Sequence, residues 1–177
     1  RLTRLPGRCL CSLVKVILVK EHLKMKNVMF VCAGNVFRSL AGELAARKLA
    51  PLELQVHFSS AGIGARPGHR IRPDVRYSLD RFDLDPTFHQ VRLLNEDLIA
   101  EQDILIAMSD DIRLAIKEKF DHDAVLFNDI AHGRPTSIPD LPDAVPDFKV
   151  DLPRAADYVD QTVRHIHDSM PALIARL

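Results

Sequence analysis

The chain has 177 residues, enough for one domain with a sizeable core. Its 24 basic and 24 acidic residues cancel, so no global field draws nucleic acid or an acidic membrane. No apolar run approaches the ~20 residues of a membrane span, and a hydrophobic fraction of 47% excludes wholesale disorder.

The charge balance conceals an asymmetry. Residues 1–24 carry six basic side chains and one acid, whereas the remainder carries 18 basic and 23 acidic ones. Met25-Lys26 stands directly before the first strand-like run. Residues 1–24 are therefore expected to form a basic extension outside the fold, and 25–177 the folded domain. Of the three cysteines, Cys9 and Cys11 fall in the extension and Cys32 alone in the body. A lone body cysteine excludes an internal disulfide framework and a Cys-based zinc cluster, and it fits a reducing, cytoplasmic compartment.

In chain order, Asn27 to Cys32 is a continuous apolar run, the mark of a strand buried on both faces in a parallel sheet. The turn Ala33-Gly34-Asn35 follows, and Arg38 to Ala50 has helical periodicity ended by Pro51. Leu54 to Phe58 reads as a second strand and Ser59 to Gly64 as a loop of small residues. Pro73 to Phe82 is a helix with proline in its first turn. Asp103 to Ala107 is a third buried strand, and Asp110 to Phe120 a helix opened by Ser109 and two acids. Ala124 to Phe127 is a short fourth strand, 128–153 a long proline-rich loop, and Arg154 to Leu177 a final helix. The alternation of strand and helix predicts an α/β fold: three α/β/α layers around a four-stranded parallel sheet.

The chemistry gathers at Cys32, at the carboxyl end of the first strand, where doubly wound sheets hold ligands. The run from Cys32 through Ser39 reads Cys-x5-Arg-Ser. Gly34 and Asn35 tolerate left-handed backbone, so this turn can aim successive N–H groups inward as an anion nest. The helix dipole adds positive potential at the same point and stabilises a thiolate there. Arg38 can grip two phosphate oxygens at once, which Lys cannot copy. A nucleophile beside an oxyanion cradle suits phosphoryl transfer through a cysteinyl-phosphate. No ATP-loop or dinucleotide fingerprint is present, and His165 and His167 face different directions on their helix, which excludes them as a metal pair. Arg66, Arg70 and Arg72 read as a solvated charged loop, with a basic rim to the site as the alternative.

The stretch V-C-A-G-N-V-F-R-S resembles the signature loop of the low-molecular-weight protein tyrosine phosphatases, matching at Cys32, Gly34, Asn35, Arg38, Ser39 and Glu43. S-A-G at 60–62, D-I-L-I-A-M at 103–108 and the segment from Gly68 through Leu94 also resemble family segments. The resemblance covers about 27–177. It implies Cys32 as nucleophile, Arg38 as phosphoryl binder, Ser39 as the thiolate's hydrogen-bond partner, and Asn35 as the residue that shapes the loop. Ala33, Gly34, Asn35, Val36, Phe37 and Ser39 would surround the substrate phosphate. The family's proton donor is an Asp, usually in D-P-Y, which this chain lacks; it has S-I-P-D-L-P-D-A-V-P-D-F at 137–148. Asp147 is favoured by its aromatic neighbour Phe148 and its spacing to the final helix, and Asp140 by its spacing from the fourth strand. Phe37 replaces the family's second loop cysteine, Leu40 its usual proline, and the aromatics at the mouth are reduced to Phe148.

The implied activity is that of a cysteine-dependent phosphomonoesterase acting on phosphotyrosine proteins or small aryl phosphates. It needs no cofactor or metal, no nucleic acid and no membrane, and a monomer or weak dimer suffices. The alternatives are an arsenate reductase-like thiol redox enzyme, which the absence of any cysteine after Cys32 disfavours, and a catalytically weak phosphate- or phosphoprotein-binding module.

Overall fold

A computed structural model of the chain describes residues 25–177, so the basic extension expected at 1–24 lies outside the described residues. Four strands, β1 (Lys26–Cys32), β2 (Val56–Gly62), β3 (Ile104–Ala107) and β4 (Val125–Leu126), form one sheet in the order β2-β1-β3-β4. All three strand pairings are parallel. The helices are α1 (Arg38–Leu49), α2 (Pro73–Asp80), α3 (Glu96–Ala100), α4 (Asp110–Phe120), α5 (Phe127–His132), α6 (Leu141–Ala144) and α7 (Leu152–Ile174).

The period-two alternation of β1 divides the core. Val28, Phe30 and Cys32 face one cluster with Leu40, Ala41, Ala45, Leu79, Val159, Val163, Ile166 and Met170 from α1, α2 and α7. Met29 and Val31 face the other, with Ile99 of α3 and Ile112 and Ile116 of α4. Helices therefore cover both faces, and the three-layer α/β/α architecture predicted from the alternation of elements is present. The contact between α1 and the sheet is close: a Cβ on Gly42 would come within 2.9 Å of the Phe30 ring.

Two sequence expectations are corrected. Ser59 through Gly62, expected in a loop, belong to β2 and pair with Met29 through Cys32 of β1. Small polar residues imitate a turn signal, but here Ser59, Ser60 and Ala61 are at most 2% exposed, and the turn after β1 packs against the strand end. The loop expected over 128–153 contains α5 and α6, and the final helix begins at Leu152, where the Asp151 side chain accepts from Arg154 N–H at 3.1 Å. The short α3 was also not anticipated from the sequence; Asn95 caps it, accepting from Leu98 N–H at 2.9 Å.

Candidate active site

The strand-to-helix turn after β1 places Cys32 2% exposed at the carboxyl end of a central strand. Asn35 takes the left-handed conformation with φ 58°, as its side chain allows, while Gly34 does not. Phe37 occupies the N-cap position of α1 with no side-chain cap, so no side chain competes for the first amides of that helix.

Hydrogen-bond directions around Asn35 can be read off the partners. Its Oδ1 accepts from Arg92 N–H at 2.8 Å, which leaves Nδ2 as donor to Ser60 Oγ at 2.8 Å and Ser39 Oγ at 3.1 Å. Ser60 donates its own proton to Glu43. With a lone pair of Ser39 Oγ taken by Asn35, the Ser39 hydroxyl is oriented to donate to Cys32 Sγ, 3.0 Å away. Asn35 N–H also points at Cys32 Sγ, at 3.3 Å. Ser39 Oγ and Asn35 N–H thus both present donors to the sulfur, an arrangement that holds Sγ in place at the floor of the turn. Glu43, 4% exposed, anchors the far end of this chain. Arg47 holds it at 2.7 Å and Arg92 lies at 3.7 Å.

Arg38 is 1% exposed and held by three residues from two segments. Its Nη1 donates to Ile138 O at 2.8 Å and Ser109 Oγ at 3.2 Å, and Nη2 pairs with Asp140 Oδ2 at 2.8 Å. Its Nε–H is buried and has no protein partner among the described residues. The guanidinium is therefore fixed with its buried Nε–H unmet, the kind of group that receives an anion.

Of the two acids weighed for proton transfer, Asp140 lies against Arg38 and also caps α6, its Oδ1 accepting from Leu141 N–H at 2.9 Å. Asp147 is 54% exposed and pairs with Arg154 at 3.7 Å. The aromatic neighbour that favoured Asp147 turns elsewhere: the Phe148 ring lies beneath the Arg72 guanidinium at 5.3 Å.

Other residues belong to the arrangement without a sequence signal. Ser109 stands at the N-cap of α4, but its hydroxyl serves Arg38, and Ser137 Oγ accepts the Asp110 N–H in its place, at 2.8 Å. His89 Nε2 donates to Asn35 O at 2.7 Å, which assigns the ring's proton to that nitrogen. Tyr158 of α7 donates to Pro139 O at 2.6 Å, beside Asp140, and burial pushes its phenol up, keeping the proton it donates. Asn128 Nδ2 donates to Thr136 O and Oγ1 at 3.2 and 3.1 Å, and its Oδ1 accepts from His165 Nε2 at 2.7 Å. Burial lowers the His165 imidazole, with neighbouring His132 acting in the same direction. Among the described residues no group of three His, Cys, Asp or Glu could hold a metal ion, and no helix is long and apolar enough to cross a membrane.

The model of the low molecular weight phosphotyrosine protein phosphatase family matches residues 27–175. A low molecular weight protein-tyrosine-phosphatase of Acinetobacter johnsonii is 26% identical over 118 residues, 67% of this chain and 81% of that protein. Among solved structures, a low molecular weight protein tyrosine phosphatase from T. tengcongensis superposes with TM-score 0.72 at 20% identity, covering 86% of this chain and 99% of that one. An arginine phosphatase from Geobacillus stearothermophilus gives TM-score 0.68 at 21% identity, covering 85% and 91%.

Proposed function

The chain belongs to the low molecular weight phosphotyrosine protein phosphatase family, and on that footing we propose that it hydrolyses phosphotyrosyl proteins through a cysteinyl-phosphate on Cys32, with Asp140 as the proton donor. The observation that carries this reading is the convergence of donors on one sulfur beside a fixed, incompletely paired guanidinium.

In this mechanism the Cys32 thiolate attacks phosphorus in line. Arg38 and the loop amides take the equatorial oxygens, whose charge they stabilise most as the bond to the leaving group lengthens. The incoming dianion competes with Asp140 for Arg38 Nη2, which releases the Asp140 side chain to turn, as the acid, toward the leaving oxygen. As the phosphorus–oxygen bond breaks, the tyrosyl oxygen takes the Asp140 proton. Water then attacks the cysteinyl-phosphate, gives its proton to the Asp140 carboxylate, and inorganic phosphate leaves as the thiolate is restored. Ser39 and Asn35 stabilise that thiolate in both steps. Asp140 takes the role the sequence favoured for Asp147 because it alone of the two contacts the phosphoryl-binding arginine.

The test is Cys32→Ser assayed with a phosphotyrosyl peptide and with vanadate. The expected result is loss of turnover with anion binding retained. Turnover equal to the parent would remove the cysteinyl-phosphate from the mechanism.

A further inference from the structure

The segment following β2 brings a set of unpaired cations to the edge of the catalytic turn. Ile63 N–H donates to Cys32 O at 3.0 Å and Gly64 N–H to Ala33 O at 2.9 Å, so this segment is stitched to the turn by backbone. Arg66 follows two residues later, and its carbonyl accepts from His69 N–H at 3.1 Å, closing a local turn. His69 Nδ1 stands 3.8 Å from where a Cβ on Gly34 would be, and His89 is fixed to Asn35 O. Between these two histidines lies an open cleft of about 320 Å³, lined also by Arg70, Arg76, Ile71 and Val91.

Arg66, Arg70 and Arg76 are exposed, and none forms an ion pair among the described residues. Arg72, between them, contrasts sharply. Asp74 holds it through hydrogen bonds of 3.0 and 2.7 Å, and it stacks on Phe148. Asp85 attracts Arg76 through space but forms no ion pair with it, and its Oδ1 accepts from both Thr87 N–H and Thr87 Oγ1. Residues 25–177 carry an excess of acid, 23 acidic against 18 basic side chains, so a basic rim runs against the balance of the domain. Like charges gathered without partners raise the free energy of the free protein, and a site that already attracts a dianion gains nothing structural from them.

We infer that this rim is a subsite for carboxylates flanking the phosphorylated residue, so that the preferred substrate is an acidic phosphopeptide segment; the inference rests on the phosphatase reading above. The phosphoryl group enters the turn while Asp or Glu residues beside it meet Arg70 and Arg76 across the cleft, and Arg66 meets them at its edge. Contacts of this kind are exposed and act more on encounter and orientation than on the chemical step.

The test compares two phosphotyrosyl peptides of one length, flanked either by Glu or by Gln, with 4-nitrophenyl phosphate as a third substrate. The readout is the ratio of kcat/KM for the two peptides, in the parent and in the Arg70→Gln/Arg76→Gln double variant; as a ratio, it does not depend on the fraction of folded enzyme. The parent is expected to favour the Glu peptide by about 3–10-fold at low ionic strength. That preference should fall toward one in the double variant and in about 0.5 M salt. Equal rates on the two peptides, or a preference that survives in the double variant, with 4-nitrophenyl phosphate still hydrolysed, would overturn the subsite alone. Hydrolysis of none of the three substrates would overturn the phosphatase reading and the subsite with it.

Discussion

The catalytic turn and the acid-bearing loop meet at Arg38, yet they are held by different means. The turn at 32–38 is pinned by backbone: Ile63 and Gly64 donate to it, the end of β2 lies against it, and its polar side chains are at most 4% exposed from Asn35 to Glu43. The loop at 136–140 is held largely by side chains, those of Asn128, Tyr158 and Arg38 reaching in and that of Ser137 reaching out to Asp110 N–H, with Ile138 N–H to Met108 O as its long-range backbone tie. A nucleophile and its oxyanion cradle need a geometry that does not change through the cycle. A proton donor must release its ion pair, turn toward a leaving oxygen and return, so attachments that can break singly suit it better.

The largest expected effect falls on the acid loop. Asp140→Asn should lower kcat by about 10²–10⁴-fold for a phosphotyrosyl peptide and far less for a phosphate ester of a very acidic phenol, because that leaving group departs without a proton. Asp147→Asn, at an exposed pair with Arg154, should stay within about twofold on both substrates. Steady-state kinetics with leaving groups of graded acidity measures this. If the leaving-group dependence follows Asp147 instead, the acid loop reorganises far more than the ligand-free geometry implies.

The turn should respond to a single methyl group. A Cβ on Gly62 would stand 2.7 Å from Ala33 O, 2.8 Å from Asn35 N and 2.9 Å from Gly34 C, and all three are backbone atoms of the turn. None can yield as a flexible side chain would. Gly62→Ala is therefore expected to cost about 1–3 kcal/mol, read as a fall in Tm of several degrees, and to lower kcat on every substrate irrespective of leaving group. Parent-like stability and activity in this variant would show the turn to be as yielding as the acid loop and would remove the contrast between them.

What the sequence made legible follows the same division. The order of strands and helices, and the constellation of Cys32, Asn35, Arg38 and Ser39, lie within local windows where periodicity and spacing carry the information. The attachments of Arg38 do not. Its partners Ser109, Ile138 and Asp140 lie 71, 100 and 102 residues away by number, and nothing local marks them. Ser109 was legible as a helix start, which it is, but not as a residue whose hydroxyl is withdrawn from capping to hold an arginine. In the acid loop the local cue and the packing differ: Phe148 stands beside Asp147 in sequence, but its ring is engaged by Arg72. The proline-rich stretch reads as a linker because prolines at 139 and 142 end periodicity. Yet Pro142 stands in the first turn of α6, where its missing N–H costs nothing, and Asp140 caps that turn.

The smallest effect should come from the attachment that is easiest to remove cleanly. Tyr158 donates to the carbonyl of Pro139, the residue before Asp140, across 2.6 Å from the long helix α7. Tyr158 touches no reacting atom in the proposed mechanism, so its influence on rate must pass through Asp140. Tyr158→Phe removes one hydrogen bond of about 0.5–1.5 kcal/mol and leaves the ring in place. The loop keeps its ties through Asn128, Ser137 and Ile138, so the expected loss is about 3–10-fold in kcat for a phosphotyrosyl peptide, with KM little changed. A purely structural role would lower activity on every substrate alike. A positioning role predicts that the loss shrinks for esters of very acidic phenols and vanishes when Asp140→Asn is already present, since a residue that acts only by holding the donor has nothing left to hold. Additive losses in the double variant would separate Tyr158 from the proton donor and leave the acid loop anchored by its remaining contacts alone.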